Sequence, residues 1–203
     1  MSKLVARTLI AATLAAGAFA AQAAESPWLM RVRAVNLDSA NKDTTGLDLS
    51  VNSKVIPEVD FSYFFSPNLA AELILTYPQK HTLSAGGTEI GTLKHLPPTL
   101  SLQYHFAPND TFRPYVGAGL NYTIFSNVEF IPAVDTALSP SVKHTSVGLS
   151  FQVGFDYEIS KNLYLNVDIK KVQIGTKVYS KGTEVGKFKV DPLLVGVGLG
   201  FRF

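Results

Sequence analysis

Cysteine is absent from all 203 residues. That excludes thiol chemistry, a lipid-modified cysteine anchor and the disulfides on which many small exported domains depend. Long apolar runs are missing as well. Beyond residue 23 no stretch approaches the roughly 18 consecutive apolar side chains of a spanning helix. Excess charge is also lacking. Lys and Arg number 18 against 16 Asp and Glu, and Lys3 and Arg7 supply the whole difference. The remainder is formally neutral, without the basic footprint of a nucleic-acid-binding protein. Histidine is sparse, and His81, His95 and His144 fall in or beside predicted loops without metal-ligand spacing. No G-x-S-x-G is present. Ser101 and His105 share a predicted strand face but stand about 13 Å apart along it, too far for a nucleophile and its base. No metal, cofactor or catalytic constellation is therefore implied, and an enzyme is not expected.

Lys3 and Arg7 open the chain and precede an apolar run from Thr8 to Ala20. Ala21-Gln22-Ala23 has the small-residue form of a signal-peptidase site. Residues 1–23 are expected to be a cleaved secretory signal, and residues 24–203 the mature domain.

What the mature part has in abundance is alternation, the signature of a strand with two different faces. At the end of the chain Leu193, Val195, Val197, Leu199, Phe201 and Phe203 alternate with Leu194, Gly196, Gly198, Gly200 and Arg202. One face is oily and the other is small or charged. The same pattern recurs over residues 26–40, 52–65, 69–77, 96–106, 113–125, 143–159 and 163–169, which makes eight strands. Short connections (66–68, 107–110 and 160–162) alternate with long ones (41–50, 78–95, 126–142 and 175–189). The long ones are polar and bear Gly or Pro, so they are expected to be loops. A soluble β-sandwich would turn its charges outward. Here one face is almost wholly Leu, Val, Phe and Tyr, and the charges share the other.

The expected fold is all-β, an eight-stranded antiparallel transmembrane β-barrel with short periplasmic turns and longer extracellular loops. Both termini would lie in the periplasm, beneath a bacterial outer membrane. Each strand is expected to supply the 9–11 residues of a tilted spanning strand. Tyr63, Phe65, Tyr77, Tyr104, Phe106, Tyr157, Phe201 and Phe203 sit near strand ends, as interfacial girdles require.

Three stretches carry a family likeness: Leu96-Pro97-Pro98-Thr99-Leu100, the run from Arg113 to Thr123, and Gly200-Phe201-Arg202-Phe203. With the order of strands and loops, they resemble the OmpW family of small outer-membrane barrels over essentially the whole mature chain. The resemblance implies a narrow, apolar channel for passive uptake of small hydrophobic molecules, with a sideways exit into the membrane. Phe203 resembles the terminal aromatic signal read by the barrel-insertion machinery.

Alternation directs Arg31, Arg33, Glu58, Asp60, Glu72, Asp156, Asp168 and Arg202 inward, together with His105, Glu158 and Lys170. An eight-stranded lumen is only just wide enough for side chains, so these charges must pair. A charged plug across the middle or lower lumen is expected. Above it the inward positions turn apolar. Val35, Leu37, Ile56, Val172 and Ile174 are the expected channel lining; the competing reading is that they only pack against loop side chains. Pro57, Pro78, Pro97 and Pro98 fall at one depth on three consecutive strands. Proline donates no ladder hydrogen bond, so a lateral window is expected between the third and fourth strands, against ordinary strand starts and bulges. Gly196, Gly198 and Gly200 are expected to leave space in the lumen. His95 is expected to be a solvated loop histidine. The Lys-bearing connections 80–94 and 177–189 suit outer-membrane lipid and lipopolysaccharide phosphates. A structural or surface-binding barrel without transport is the alternative to uptake.

Overall fold

The structure is a computed structural model describing residues 26–203. The expected signal, residues 1–23, lies outside the described residues. Eight antiparallel strands close into a barrel: β1 (Trp28–Asp38), β4 (Lys54–Ser66), β5 (Leu69–Leu75), β8 (Thr99–His105), β9 (Phe112–Phe130), β11 (Thr145–Ser160), β12 (Leu163–Val172) and β15 (Leu193–Arg202). Sequential strands are neighbours, and β15 returns to pair with β1 from Leu29↔Arg202 to Asp38↔Leu193. Closure removes the exposed edges that so apolar a set of strands would otherwise present.

Alternation produces the two surfaces. Val32, Leu100, Leu102, Leu120, Val147 and Val197 are exposed outward, while alternate residues such as Arg31, Arg33, Ser101, Gln103 and Asn121 are buried in the lumen. On a soluble protein this apolar wall would be a liability; against lipid it is in its proper solvent. Aromatic side chains pair edge to face near the short-turn end, Trp28 on Tyr63 at 4.9 Å and Tyr104 on Phe106 at 5.2 Å.

Two expectations are corrected. The third and fourth barrel strands, β5 and β8, have only 7 residues each, not 9–11. Pro78 lies just past the end of one, and Pro97 with Pro98 immediately precedes the other; proline donates no ladder hydrogen bond. The long connections are also not polar loops. They contain β2 (Lys42–Asp43), β3 (Leu49–Val51), β6 (Gln79–Ala85), β7 (Thr88–Leu96), a helix α1 (Pro132–Leu138), β10 (Pro140–Val142), β13 (Gly175–Ser180) and β14 (Thr183–Lys189). The β6–β7 hairpin extends the barrel sheet through pairing of β7 with the far end of β9, while β10, β13, β14 and β2 form a second sheet.

The signals for this order were present but faint. Gly86-Gly87 and Lys181-Gly182 have left-handed φ of 53°, 78°, 48° and 80°. Each pair spans a two-residue hairpin, Ala85↔Thr88 and Ser180↔Thr183, the primed turn that matches strand twist. The intervening segments alternate too, with Leu83, Leu93, Val178 and Phe188 pointing inward. Many polar outward residues hid the period.

The seam between β15 and β1 gives a direct test. A Cβ at Gly198 would lie 2.0 Å from the Val32 carbonyl oxygen and 2.7 Å from the Arg33 Cα, which are backbone atoms of the closing ladder. At Gly196 the nearest atom is a side-chain methyl, Val35 Cγ2, at 3.2 Å. Gly198→Val is expected to abolish the folded barrel and Gly196→Ala to retain it, read from the folded fraction in far-UV circular dichroism after detergent refolding.

Candidate functional site: the lumen

Mid-lumen, β1 carries the two arginines that organise the interior. Arg31 lies opposite Asp60 and Arg33 opposite Glu58 in the ladder with β4. Arg31 grips Asp156 with two donors, Nε to Oδ1 at 3.0 Å and Nη2 to Oδ2 at 2.7 Å. Its Nη1 donates to Asp60 at 3.1 Å and to the Ser62 hydroxyl at 2.9 Å. Arg33 donates through Nη2 to Asp60 and, at 3.2 Å, to Glu72. Its Nε lies 3.0 Å from Glu58, and its Nη1 lies 3.9 Å from Asp168. Lys170 completes the group, 3.3 Å from Glu58 and 3.5 Å from Asp168.

Neutral side chains that charge reasoning missed satisfy the remaining acceptors. Gln152 donates to Glu72 at 2.6 Å, Tyr115 to Asp168 at 2.9 Å, and Asn166 to Asp156 at 2.9 Å. Tyr115 also stands under the Arg31 guanidinium, 5.3 Å from its ring centroid. Strand parity marks these residues as inward; their role as partners depends on depth across different strands. Arg31, Asp60 and Glu72 are completely buried, and the network spans the lumen.

Arg202 is not among them. It sits at the short-turn mouth, over the Phe64 ring at 4.5 Å, and donates to the Ser26 carbonyl. Glu158 is at the same mouth, paired with Arg113 at 2.5 Å. Gly198 and Gly200 lie opposite Arg33 and Arg31. The room they leave is taken by the arginine stems, with Arg31 Cγ only 3.3 Å from where a Gly200 Cβ would be. It is not channel width.

Above the plug, Val35, Leu37, Ile56, Val172 and Ile174 come together as one apolar cluster. Leu49, Val51, Leu83, Leu93, Val178, Phe188 and Val190 from the long connections pack into it. What is left between cluster and plug is a cavity of about 20 Å³, room for one or two waters. It is lined in part by Leu37, Ile56, Ile74, His95, Pro97 and Lys170.

The four expected window prolines are placed differently. Pro97 lines it; Pro78 is exposed on the outer wall; Pro57 lies opposite Ala34 in the β1–β4 ladder. Pairing of β5 with β8 stops at Ile74↔Thr99, and pairing resumes only at Gln79↔His95 in the hairpin. Between those rungs Leu75–Pro78 and Leu96–Pro98 make no ladder pairs with each other. Buried Asn121 donates to the Pro97 carbonyl at 3.1 Å and to the Pro98 carbonyl at 3.2 Å, and the Tyr122 N–H of β9 also donates to Pro98 at 3.0 Å. On the other side the β4–β5 ladder ends at Val59↔Leu75, and Thr76 Oγ1 donates to the Pro57 carbonyl.

His95 is not solvated. It is 1% exposed and stacks on His81, with ring centroids 4.6 Å apart and planes 10° from parallel. The two residues face inward from adjacent strands of the hairpin, under the loop cluster. Burial, with lesser contributions from His81 and Lys54, depresses His95 to about 3. Burial also lowers His81, opposed by its hydrogen-bond contact with the Asn52 carbonyl. Ser101 and His105 stay apart as sites: His105 Nε2 contacts Gln103 at 3.2 Å, and Ser101 has no side-chain hydrogen-bond partner among the described residues.

Comparison with known proteins gives a consistent picture. The sequence model of the OmpW family matches residues 17–203. An uncharacterized outer-membrane protein, y4mB of Sinorhizobium fredii, is 40% identical, over 88% of this chain and 80% of its own. Outer membrane protein W of Vibrio cholerae is 34% identical over 96% of both chains. A further relative, the dibenzothiophene metabolism operon protein PahQ of Pseudomonas aeruginosa, is 27% identical over 89% of this chain and 90% of its own. Among solved structures, outer membrane protein OprG of Pseudomonas aeruginosa superposes with a TM-score of 0.76 at 27% identity, covering 87% of this chain and 95% of that one.

Two outcomes are expected here. Arg33→Met leaves five buried carboxylates around Arg31 and Lys170, and should cost about 3–5 kcal/mol in urea unfolding followed by the single tryptophan, Trp28. Arg202→Met removes a mouth-side contact and should cost less than about 1 kcal/mol. The second concerns acid. Free histidine protonates near pH 6.5, but folded His95 resists down to about 3. Between those values the unfolded hairpin binds more protons, so its stability falls as pH is lowered through that window. Amide exchange in β6 and β7, corrected for intrinsic rate, should be faster at pH 4.5 than at pH 7.

Proposed function

Because this chain belongs to the OmpW family of outer-membrane β-barrel proteins, we propose that it gives small hydrophobic molecules a passive route into the outer membrane. The long-loop end faces outside and both termini lie in the periplasm. A solute enters among the long connections, where Val35, Leu37, Ile56, Val172 and Ile174 offer an apolar path. The charged plug stops it. The exit is sideways, through the break between β5 and β8.

The observation that carries this reading is the coincidence of that break with the cavity. The stretches Leu75–Pro78 and Leu96–Pro98, which make no rungs with each other, adjoin the cavity above the plug that Pro97, Thr76 and Ile74 help to line. A ladder break needs no hydrogen bonds broken for side chains to part there. The name of the PahQ relative associates that protein with dibenzothiophene metabolism, and dibenzothiophene is a small, apolar, fused-ring molecule. Outer-membrane lipid, lipopolysaccharide and the barrel-insertion machinery, through Phe203, are further proposed partners. No catalytic role is proposed.

One observation favours the alternative, a structural or surface-binding barrel. The upper lumen is filled by loop side chains, so uptake requires the loop cluster to part. The two readings separate in proteoliposomes with lipopolysaccharide in the outer leaflet. Uptake of a fluorescent aromatic hydrocarbon should exceed that of protein-free vesicles severalfold; equal rates would favour the structural reading. Replacing both Pro97 and Pro98 by Ala restores two backbone N–H donors, the one at residue 98 on the Tyr122 side. It should bring uptake back toward the protein-free rate while the barrel stays folded. Undiminished uptake by that folded variant would rule out the window.

A further inference from the structure

The cavity above the plug is walled mainly by apolar side chains, and nearly all of its polar lining is already engaged. Glu58 and Lys170 pair at 3.3 Å. Thr76 donates to the Pro57 carbonyl at 2.9 Å. Asn121 donates to Thr99 Oγ1 at 2.9 Å and accepts from Thr123 at 2.6 Å. His95 differs. It lines the same cavity, is almost wholly buried, and neither ring nitrogen has a hydrogen-bond partner among the described residues. Its ring is held between the stacked His81, at 4.6 Å, and the Phe125 edge, at 6.5 Å.

A neutral imidazole offers one N–H donor and one lone-pair acceptor. Both are free here, in apolar surroundings where an unmet polar group is costly. A hydroxyl group also donates once and accepts, so it matches imidazole on either tautomer. The space available, about 20 Å³, suits a hydroxyl and not a larger polar head. The floor selects further. Glu58, Asp60, Glu72, Asp156 and Asp168 outnumber Arg31, Arg33 and Lys170, so the plug is formally anionic. A carboxylate head would face that excess, and a neutral hydroxyl would not.

We propose that His95 is the polar anchor of a solute site in this cavity, for molecules with an apolar body and one uncharged hydroxyl: alcohols and phenols in preference to hydrocarbons or carboxylates. The hydroxyl is held at the imidazole, and the body lies toward the ladder break past Thr76 and Pro97. This rests on the uptake reading and names the solute class for its path.

The test uses the full mature protein, 15N-labelled at histidine, in lipid nanodiscs, titrated with 1-octanol, octanoate and n-octane. The expected result is a shift of the His95 ring nitrogens with octanol alone, and a nuclear Overhauser contact from the octanol C1 protons to the His95 ring. His95→Phe should weaken octanol binding at least tenfold and leave octane binding unchanged; His95→Gln, which keeps a donor and an acceptor, should recover part of the loss. Equal affinity for octane and octanol in the wild-type protein overturns the anchor and leaves the uptake path standing. So does octanol binding that places its C1 away from His95, a result that needs no variant to fold. Binding of none of the three overturns both readings.

Discussion

Charges inside a barrel of eight strands have almost no water to turn to, and the rest of this structure follows from how they are paired. The lumen admits side chains but little else, and an isolated buried charge is far costlier than a paired one. The solution starts on β1. Each arginine meets a carboxylate across the β4 ladder, Arg31 with Asp60 and Arg33 with Glu58. On the opposite ladder each meets a glycine, Arg31 with Gly200 and Arg33 with Gly198. The bare side lets the long stems lean across the seam into the lumen, where Asp156, Glu72 and Asp168 arrive from β11, β5 and β12. Glycine on β15 and arginine on β1 are therefore one feature seen from two strands.

A network that spans the lumen also constrains the proposed uptake path. Straight passage would require prising apart at least three cations and five carboxylates with several shared partners. Such groups are strongly coupled, and no single opening frees a path. The wall is weaker than the plug at one place. Between Ile74↔Thr99 and Gln79↔His95 the two strands make no rungs with each other, and Asn121 bonds the Pro97 and Pro98 carbonyls beside the gap from inside. Asn121 is itself fixed by Thr99 and Thr123, so the amide is held in place beside the gap.

Much of this was legible beforehand, for reasons that differ by residue. Side-chain parity is a strict period of two, so the inward position of Arg31, Asp60, Glu72 and Asp156 followed from counting along each strand. The same counting could not say that Arg202 lies outside the network, because depth depends on the register of neighbouring strands and β15 carries Arg202 to the mouth. Prolines marked the ladder break directly, since a missing N–H is written in the residue type. The order within the long connections was obscured by their polar outward faces, and was marked mainly by Gly86-Gly87 and Lys181-Gly182. His95 was misjudged for the same reason. Taken as part of a loop it should be wet; on β7, opposite Gln79 and stacked on His81, it is inside.

The break and the lid over it are held by different kinds of interaction, and that difference places the control of access. The break is covalent in origin: three of its residues, Pro78, Pro97 and Pro98, lack the donor whatever the loops do. The lid is a packing assembly of Leu49, Val51, Leu83, Leu93, Val178 and Phe188 from separate connections, resting on barrel residues such as Val35 and Ile174. Apolar contacts of this kind have no directional preference and can be exchanged for contacts with an apolar solute at little cost. A greasy molecule entering from the loop end can replace lid contacts with its own. It cannot do the same for the ion pairs beneath. On the proposed uptake path, selectivity for apolar bodies would arise in the lid, the direction of travel would be set by the plug, and the wall would need only to stay incomplete.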